Sequence, residues 1–220
     1  MLTRGEGEAT KFKSNMKKGL ILVLFALVST VSFAQISWSG KVGMNMSNFT
    51  GDAETDMRVG FNLGVGMEYS FTDLWSLQTG LMFSQKGAKS EVEGESVKYN
   101  PLYLEIPVMA GARFAVTDNQ SVLVKAGPYF GIGIAGKAKF EYSEEGESFS
   151  EKADFFGDGE DQFGGKRFDC GLGIGVAYEI NKFFVSLDGQ FGFTPVVDYD
   201  MEGVSNPKNM NFSIGVGYKF

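Results

Sequence analysis

The feature that most constrains the fold is an alternation of apolar with small or polar residues that recurs along the chain. Residues two apart share a face in a β-strand, so a repeat of two predicts strands with one apolar face. The last segment is the clearest, with Met210, Phe212, Ile214, Val216, Tyr218 and Phe220 on one face and Asn209, Asn211, Ser213, Gly215, Gly217 and Lys219 on the other. Eight segments show the pattern: roughly 38–49, 58–71, 75–86, 102–116, 121–140, 166–180, 183–195 and 208–220.

The number and spacing of these segments indicate how they are arranged. The number is even, and each segment can supply the ~9–11 tilted residues with which a strand crosses a membrane. The connections alternate between short ones, at 72–74, 117–120 and 181–182, and long ones, at 50–57, 87–101, 141–165 and 196–207. Outer-membrane barrels have short periplasmic turns and long external loops. The sequence therefore predicts an all-β fold over 35–220: an eight-stranded antiparallel up-and-down transmembrane β-barrel with both termini in the periplasm.

The direction of the apolar face separates a membrane barrel from a soluble one. A soluble barrel packs its apolar side chains inward, whereas a membrane barrel turns them toward lipid. In several segments the glycines share a face with charged residues, which suits the narrow interior of an eight-stranded barrel. We therefore expect apolar residues outside and polar residues inside. Cys170, Leu172, Ile174, Phe212 and Ile214 are expected outside, and Arg167, Asp169, Asn211 and Lys219 inside.

The N-terminal segment has the pattern of a leader. Residues 1–15 are a polar prefix, which a mis-assigned start codon would explain. Lys17 and Lys18 precede an apolar run over 20–28, and small residues follow it. This order predicts a cleavable signal peptide at 16–34, cut between Ala34 and Gln35. The apolar run is too short to cross a bilayer as a helix, so the predicted domains are the prefix, the signal peptide and the barrel at 35–220.

The composition excludes several classes of function. The chain has no histidine, the commonest general base and metal ligand, so neither an enzyme nor a cofactor is expected. The net charge of −7 offers no basic surplus for phosphates, so nucleic acid is not an expected partner. Cys170 is the single cysteine, which excludes an internal disulfide.

Charged residues on the polar faces are expected to form a network in the barrel interior. Opposite charges in a narrow lumen are expected to pair, because an unpaired ion away from water is costly. The alternatives are passage of solutes or protons and, for carboxylates such as Glu105 and Asp188, acid–base chemistry. The expected interior charges are Arg58, Glu68, Glu105, Arg113, Lys125, Arg167, Asp169, Glu179 and Asp188.

Two further motifs have competing interpretations. Residues 131–136 match the G-x-G-x-x-G spacing of dinucleotide sites, but the motif lies inside a strand pattern, where glycines make room in a barrel. The segment 141–161 carries nine acidic residues and is expected to be a solvated loop. Clustered carboxylates can also bind calcium, and Asp158, Glu160 and Asp161 are the weak candidates for such a site.

Several segments resemble the Bacteroidetes outer-membrane β-barrel family, whose members are often named porin-family or PorT-family proteins. The resemblance rests on residues 80–89, 103–108, 126–131 and 212–220 and covers the predicted barrel in order. PorT itself is associated with protein export. Outer-membrane lipid and lipopolysaccharide are expected partners of a barrel in this location. The terminal strand, with Tyr218 and Phe220, is similar to the signal that the barrel-assembly machinery reads.

Two hypotheses of function remain. In the first, a non-enzymatic barrel of the bacterial outer membrane uses its external loops to bind an envelope component, a secretion apparatus or a host surface. In the second, the barrel is a narrow porin that passes small solutes or ions. Eight strands give an interior that side chains nearly fill, which favours the first hypothesis, although the interior glycines could leave a thin water path.

Overall fold

The computed structural model describes residues 35–51, 55–92, 95–144, 147–157, 159, 162–198 and 205–220. The predicted prefix and signal peptide, up to Ala34, lie outside the described residues. The strands are β1 (Ile36–Thr50), β2 (Arg58–Ser70), β3 (Trp75–Gln85), β4 (Lys89–Val92), β5 (Glu95–Thr117), β6 (Gln120–Glu144), β7 (Glu147–Phe156), β8 (Gln162–Gly165), β9 (Phe168–Ile180), β10 (Phe183–Pro195) and β11 (Lys208–Lys219). None of the helices among these residues is both long and apolar enough to cross a membrane.

The strands of the described residues form one sheet, in the order β4-β5-β3-β2-β1-β11-β10-β9-β6-β7-β8. Because β5 also pairs with β6, eight strands are linked in a ring that follows the chain: β1, β2, β3, β5, β6, β9, β10, β11 and back to β1. The ring is uneven, since β5 has 23 residues and β6 has 25, whereas β3 has 11. The all-β barrel expected from the sequence is confirmed.

The strand count expected from the sequence is wrong, because eleven strands are present in the described part of the chain. The additional strands β4, β7 and β8 fall in segments that were expected to be long loops, and β7 pairs with β8 in parallel. These segments escaped the pattern because they are short or lack one apolar face. β4 has the sequence Lys-Ser-Glu-Val, β8 has Gln-Phe-Gly-Gly, and on β7 Phe149 shares a face with Glu151. Strand pairing requires alternating faces, and it does not require that one face be apolar.

The burial pattern shows which way the side chains face. Leu172, Ile174 and Ile214 are exposed, as lipid-facing residues of an isolated chain must be, and Asp169 and Asn211 are buried. Cys170, Phe212 and Lys219 are half-buried. Arg167 differs from its prediction: it is exposed and precedes β9 instead of lying within the strand. Large apolar residues outside and polar residues inside are typical of a membrane barrel.

The two ends of the ring are built differently. Short turns at 71–74, 118–119 and 181–182 lie at one end, where the amide of Asn181 donates a hydrogen bond to the Asn119 carbonyl. Asn181 takes a positive φ of 54°, which asparagine tolerates in tight turns. The long connections lie at the opposite end, which we call the outer end, because long loops of outer-membrane barrels are extracellular.

An aromatic cluster, which we call the aromatic cap, lies at the outer end. It comprises Phe49, Tyr99, Tyr103, Phe155, Phe156 and Phe163, with Ala88 and Val196 packed among them. Phe155 and Phe156 end β7 and are buried, with ring centroids 5.0 Å apart. The expectation that 141–161 is a solvated loop is therefore wrong for β7, which is a strand that ends in buried side chains. Glu141, Glu151 and Asp154 lie on the hairpin of β6 and β7, while Phe155 and Phe156 remove apolar area from water at the outer end of the barrel.

Strands β5 and β6 continue beyond the ring and carry β4 and β7 on their two sides. Lys89 to Val92 pair with Glu95 to Lys98, and Lys137 to Glu144 pair with Glu147 to Asp154. These four strand segments form what we call the projecting sheet. Of these strands, β5 and β6 are continuous with the wall of the barrel, and they carry β4 and β7.

Candidate functional site

The outermost polar cluster in the barrel is centred on Lys86. This residue follows β3, and its side chain is 0% exposed. Its Nζ lies 2.6 Å from Oε1 of Glu105 on β5 and 3.1 Å from Oδ2 of Asp169 on β9. Lys86 Nζ also lies 4.3 Å from the centroid of the Tyr129 ring. An ammonium ion held between two carboxylates and an aromatic face is well compensated for the loss of water.

The two carboxylates of this cluster are held in place by further hydrogen bonds. Asp169 accepts bonds from the Thr194 hydroxyl at 3.2 Å and the Tyr129 hydroxyl at 3.3 Å. Glu105 accepts one from the Gln190 amide at 3.1 Å. Neutral donors of this kind satisfy the carboxylate oxygens that a single lysine leaves without a partner. The cluster therefore ties five strands or strand ends together below the aromatic cap.

The next cluster toward the inner end is centred on Asp188 of β10. Its carboxylate lies 2.5 Å from Lys41 Nζ and 2.9 Å from Lys125 Nζ, and it accepts a hydrogen bond of 2.9 Å from the Ser186 hydroxyl. Two cations therefore share one anion, which leaves this level of the interior with a positive charge. The Lys86 cluster has the opposite excess, since two carboxylates share one cation. The two clusters together are neutral.

The innermost cluster contains two cations and two anions. Arg113 Nη2 lies 2.6 Å from Glu68, and Arg113 Nε lies 3.0 Å from Glu179. Lys219 of β11 closes the cluster, at 2.9 Å from Glu68 and 2.7 Å from Glu179. The Ser121 hydroxyl also donates to Glu179 at 3.0 Å. Each charge has two opposite partners, so the cluster forms a neutral belt across the barrel.

Two arginines that were expected in the network bind backbone atoms instead. Arg58 donates to the Lys86 carbonyl at 3.2 Å. Arg167 donates to the Gly133 carbonyl at 2.9 Å and lies 5.3 Å from the Phe156 ring centroid. Arg167 therefore holds the aromatic cap against β6 from outside the polar interior. A β-carbon at Gly133 would lie 2.1 Å from the Phe156 ring, which explains why only glycine fits there.

A cavity of about 140 Å³ lies between these clusters. Its lining includes Lys41, Lys125 and Asp188 on one side, with Met109 and Leu123 supplying apolar surface. Asn62 Oδ1, Gln78 Nε2 and Asn211 Oδ1 also line it, and within the described residues these atoms have no hydrogen-bond partner. Such a lining suits water or a small polar solute. The aromatic cap and the Lys86 cluster lie on its outer side, and the neutral belt lies on its inner side.

The geometry does not assemble a catalytic or metal site from the described residues. Glu105 and Asp188, the carboxylates considered for acid–base chemistry, are each held by lysine. The described residues contain no group of three potential metal ligands. Asp158, Glu160 and Asp161, the calcium candidates, lie outside the described residues. Glycines 131 and 133 lie within β6, which is a strand and not the start of a helix, so the dinucleotide interpretation fails.

Sequence reasoning left three of the lysines in these clusters, Lys41, Lys86 and Lys219, out of the predicted charge network. Lys41 shares a face with Ser39, Asn45 and Ser47, so its alternation was a usable signal. Lys86 continues the face of Ser84 by the same rule, although it stands beyond the end of the strand. Lys219 was expected inside but was not assigned to the network. The aromatic cap had no comparable signal, because its residues come from distant segments.

Several solved structures are similar to this chain. Ail, the attachment invasion locus protein of Yersinia pestis, is 20% identical, with a TM-score of 0.39, over 84% of this chain and 98% of that chain. Neisserial surface protein A is 13% identical, with a TM-score of 0.43, over 83% of this chain and 97% of that chain. The N-terminal β-barrel domain of Pseudomonas aeruginosa OprF is 15% identical, with a TM-score of 0.34, over 83% of this chain and 97% of that chain. A search of curated protein sequences found no match.

A family model described as an outer membrane protein β-barrel domain matches residues 33–198. The match covers about three quarters of the chain and includes β1 to β10 in full. It agrees with the outward apolar face and the paired polar interior, which together place the protein in the bacterial outer membrane. The chain therefore belongs to the family of outer-membrane β-barrel domain proteins.

Proposed function

We propose that this protein is a non-enzymatic outer-membrane barrel that binds a partner through its projecting sheet. The observation that carries the proposal is the exposed edge of β7. Strand β7 pairs with β6 from Glu147 to Asp154, but on its other edge the described residues pair only at Asp154 and Phe156. Residues 149–153 therefore present backbone donors and acceptors on a strand that stands above the membrane.

An exposed edge of this kind is suited to receiving an extended peptide segment. Unpaired amides and carbonyls form a template for a further strand, and recognition by strand addition uses that template. Glu151 and Lys152 are exposed on β7, and charges at an edge limit pairing to complementary partners. Phe149 is also exposed and supplies an apolar contact. The proposed partner is a polypeptide of the envelope, of a secretion apparatus or of a host surface.

The alternative function, a narrow porin, is favoured only by the interior cavity. A conducting path must connect that cavity with both sides of the membrane. On the inner side it meets the neutral belt of Arg113, Glu68, Glu179 and Lys219, and on the outer side it meets the Lys86 cluster and the aromatic cap. Moving these charges apart would leave ions unpaired in a confined space, which is costly. The geometry therefore supports a closed barrel.

Purified protein in a planar bilayer is expected to show no steady conductance. The outer closure is tested with Phe156→Ala combined with Lys86→Met, and the inner closure with Arg113→Gln. Each change alone is expected to leave the bilayer silent, because the other barrier remains. Steady single-channel currents from the unmodified protein that change ion selectivity with Arg113→Gln would overturn the closed barrel and establish the porin.

Partner binding is tested by site-specific cross-linking in cells. A photoreactive residue at Ser150 or Lys152, beside the open edge of β7, is expected to give a discrete protein adduct. The matched control is the same residue at Ile132, which is exposed on the lipid-facing side of β6. Adducts at Ile132 only, or at no position of the projecting sheet, would contradict binding at this edge.

Finer assignments in this proposal rest on sequence patterns. The resemblance at residues 80–89 and 212–220 supports placement among Bacteroidetes porin-family or PorT-family barrels. Tyr218 and Phe220 are assigned to recognition by the barrel-assembly machinery, and their rings meet edge to face at 5.7 Å on the exposed side of the barrel. The signal peptide and its cleavage before Gln35 belong to the same proposal, with the basic and apolar order of residues 17–28 as support.

A further inference from the structure

The projecting sheet carries four lysines in a single row across four strands. Lys89 of β4 is the register partner of Lys98 of β5. Lys98 is the partner of Lys139 of β6, and Lys139 is the partner of Lys152 of β7. Directly opposed residues of antiparallel strands point to the same face. We call this set the lysine row.

The row stands on the outward side of the sheet, in line with the lipid-facing surface. On β6, Lys137 and Lys139 flank Ala138, which is fully buried on the opposite side. On β5, Lys98 shares a face with Leu102, which alternates with the buried Pro101 and Tyr103. Lys98 lies four positions before Leu102, so it lies ~10 Å above Leu102 for a strand rise of ~3.4 Å and a tilt of ~40°. The row therefore lies beyond the lipid-facing part of the strand, on the side where the polar lipid headgroups are found.

The carboxylates on the same face neutralise only part of this charge. Lys89 lies 2.7 Å from Glu91, Lys98 lies 2.7 Å from Glu141, and Lys137 lies 3.4 Å from Asp154. The hydrogen bond from Lys98 lowers the pKa of the Glu141 carboxyl, which keeps that group ionised. Within the described residues Lys139 and Lys152 form no ion pair as short as 4.0 Å, although Lys139 is near enough to Glu141 to lower the pKa of its carboxyl further. They are the two members of the row that remain available to an external anion.

A row of like charges is a cost for an isolated sheet. Like charges directly opposite each other destabilise strand pairing, and here the like-charged pair recurs three times in succession. An anion lying across neighbouring lysines would remove this repulsion. The protein as a whole carries a net charge of −7, so the row does not reflect a generally basic surface.

We propose that the lysine row binds the phosphate groups of outer-leaflet lipopolysaccharide. Phosphates are the anions that occur at this height beside a barrel in the outer membrane. Lysine side chains can extend along the sheet so that their ammonium groups reach the phosphates. Binding would fix the outward face of the projecting sheet to the surrounding lipopolysaccharide. This inference concerns the outward face of the sheet and does not depend on partner binding at the edge of β7.

The test uses the full barrel in detergent micelles, titrated with diphosphorylated lipid A and with its dephosphorylated form, with binding measured by native mass spectrometry. The Lys139→Gln/Lys152→Gln variant is expected to lose at least about tenfold in affinity for diphosphorylated lipid A, since charge-assisted contacts are lost. Lys182→Gln is the control, because Lys182 is exposed at the turn that joins β9 to β10, at the opposite end. Folding of each variant is checked by its resistance to unfolding in gel electrophoresis.

Three outcomes would overturn the proposal. Equal affinity for the phosphorylated and dephosphorylated lipid would show that the acyl chains alone drive binding. Equal losses in the Lys139→Gln/Lys152→Gln variant and in Lys182→Gln would show that the row has no special part. Full competition by inorganic pyrophosphate at the concentration of lipid A would indicate a free-phosphate site in place of a lipid surface. A loss confined to the row variant and to the phosphorylated lipid supports it.

Discussion

Replacing Lys86 by methionine is expected to lower the free energy of unfolding by about 3–5 kcal/mol. The side chain is fully buried, and the substitution keeps its length while removing its charge. Glu105 and Asp169 would then face each other without the cation that lies 2.6 and 3.1 Å from them. An uncompensated buried charge costs more free energy than the ion pair contributes. The loss of stability therefore comes mainly from the two carboxylates that are left without a cation. Urea-induced unfolding in lipid vesicles measures the change.

The triple variant Lys86→Met/Glu105→Gln/Asp169→Asn separates this mechanism from a simple loss of packing. Both carboxylates become neutral amides of similar shape, which can still accept hydrogen bonds from Gln190 and Thr194. Most of the lost stability should return. A triple variant that is less stable than Lys86→Met alone would show that the charges do not interact as the distances indicate. Glu91→Gln, which removes an exposed ion pair with Lys89, is the control and should change stability by less than about 1 kcal/mol.

The sequence was sufficient for the strands of the ring because their alternation has a simple physical origin. A strand between lipid and a polar interior must place apolar residues on every second position, as Leu172, Ile174 and Val176 do on β9. The short turns are visible for a similar reason, since residues such as Asn181 permit the backbone to reverse. Both signals are local in the chain, and they predict the ring strands and the short turns approximately where the structure has them.

The structure of the outer half of the molecule was harder to predict from the sequence, because its contacts join residues that are far apart in the chain. Phe155 and Phe156 of β7 meet Tyr99 and Tyr103 of β5, about fifty residues away in the chain. Nothing in the acidic composition around them indicates that these rings are buried. The lysine row is similar, since its members become neighbours only through the register of four strands.

The ion-pair clusters could be predicted in part, since they depend on both local alternation and long-range contacts. Alternation indicates that a charge lies inside, as it did for Glu68, Arg113 and Asp188, but it does not say which charges meet. The pairing of Lys41 with Asp188 spans 147 residues and depends on the closing contact between β1 and β11. Arg167 shows the limit of assigning side chains to the interior from alternation alone. Its position continued the alternation of β9, yet it lies before the strand and donates to a backbone carbonyl.

Substituting arginine for Ile174 is expected to lower the free energy of unfolding by about 2–4 kcal/mol. Ile174 lies in the middle of β9, it is 55% exposed, and its neighbours across the strands are Ala126 and Gly189. A charge on the lipid face near the bilayer midplane must either enter hydrocarbon or distort the membrane around it. Urea unfolding of the barrel in phospholipid vesicles provides the measurement, with the charge-free variant Ile174→Ala as reference.

Ile180→Arg supplies the matched control, because the cost of a lipid-facing charge depends on its depth. Ile180 is 45% exposed on the same face of the same strand, but it borders the turn at 181–182. An arginine there reaches the interface, so the expected cost is about 0–1 kcal/mol. Equal costs at the two positions would mean that the effect comes from the strand and not from lipid. A negligible cost at both would show that the apolar face of β9 does not meet hydrocarbon, and it would remove the physical basis for the orientation of every strand in the ring.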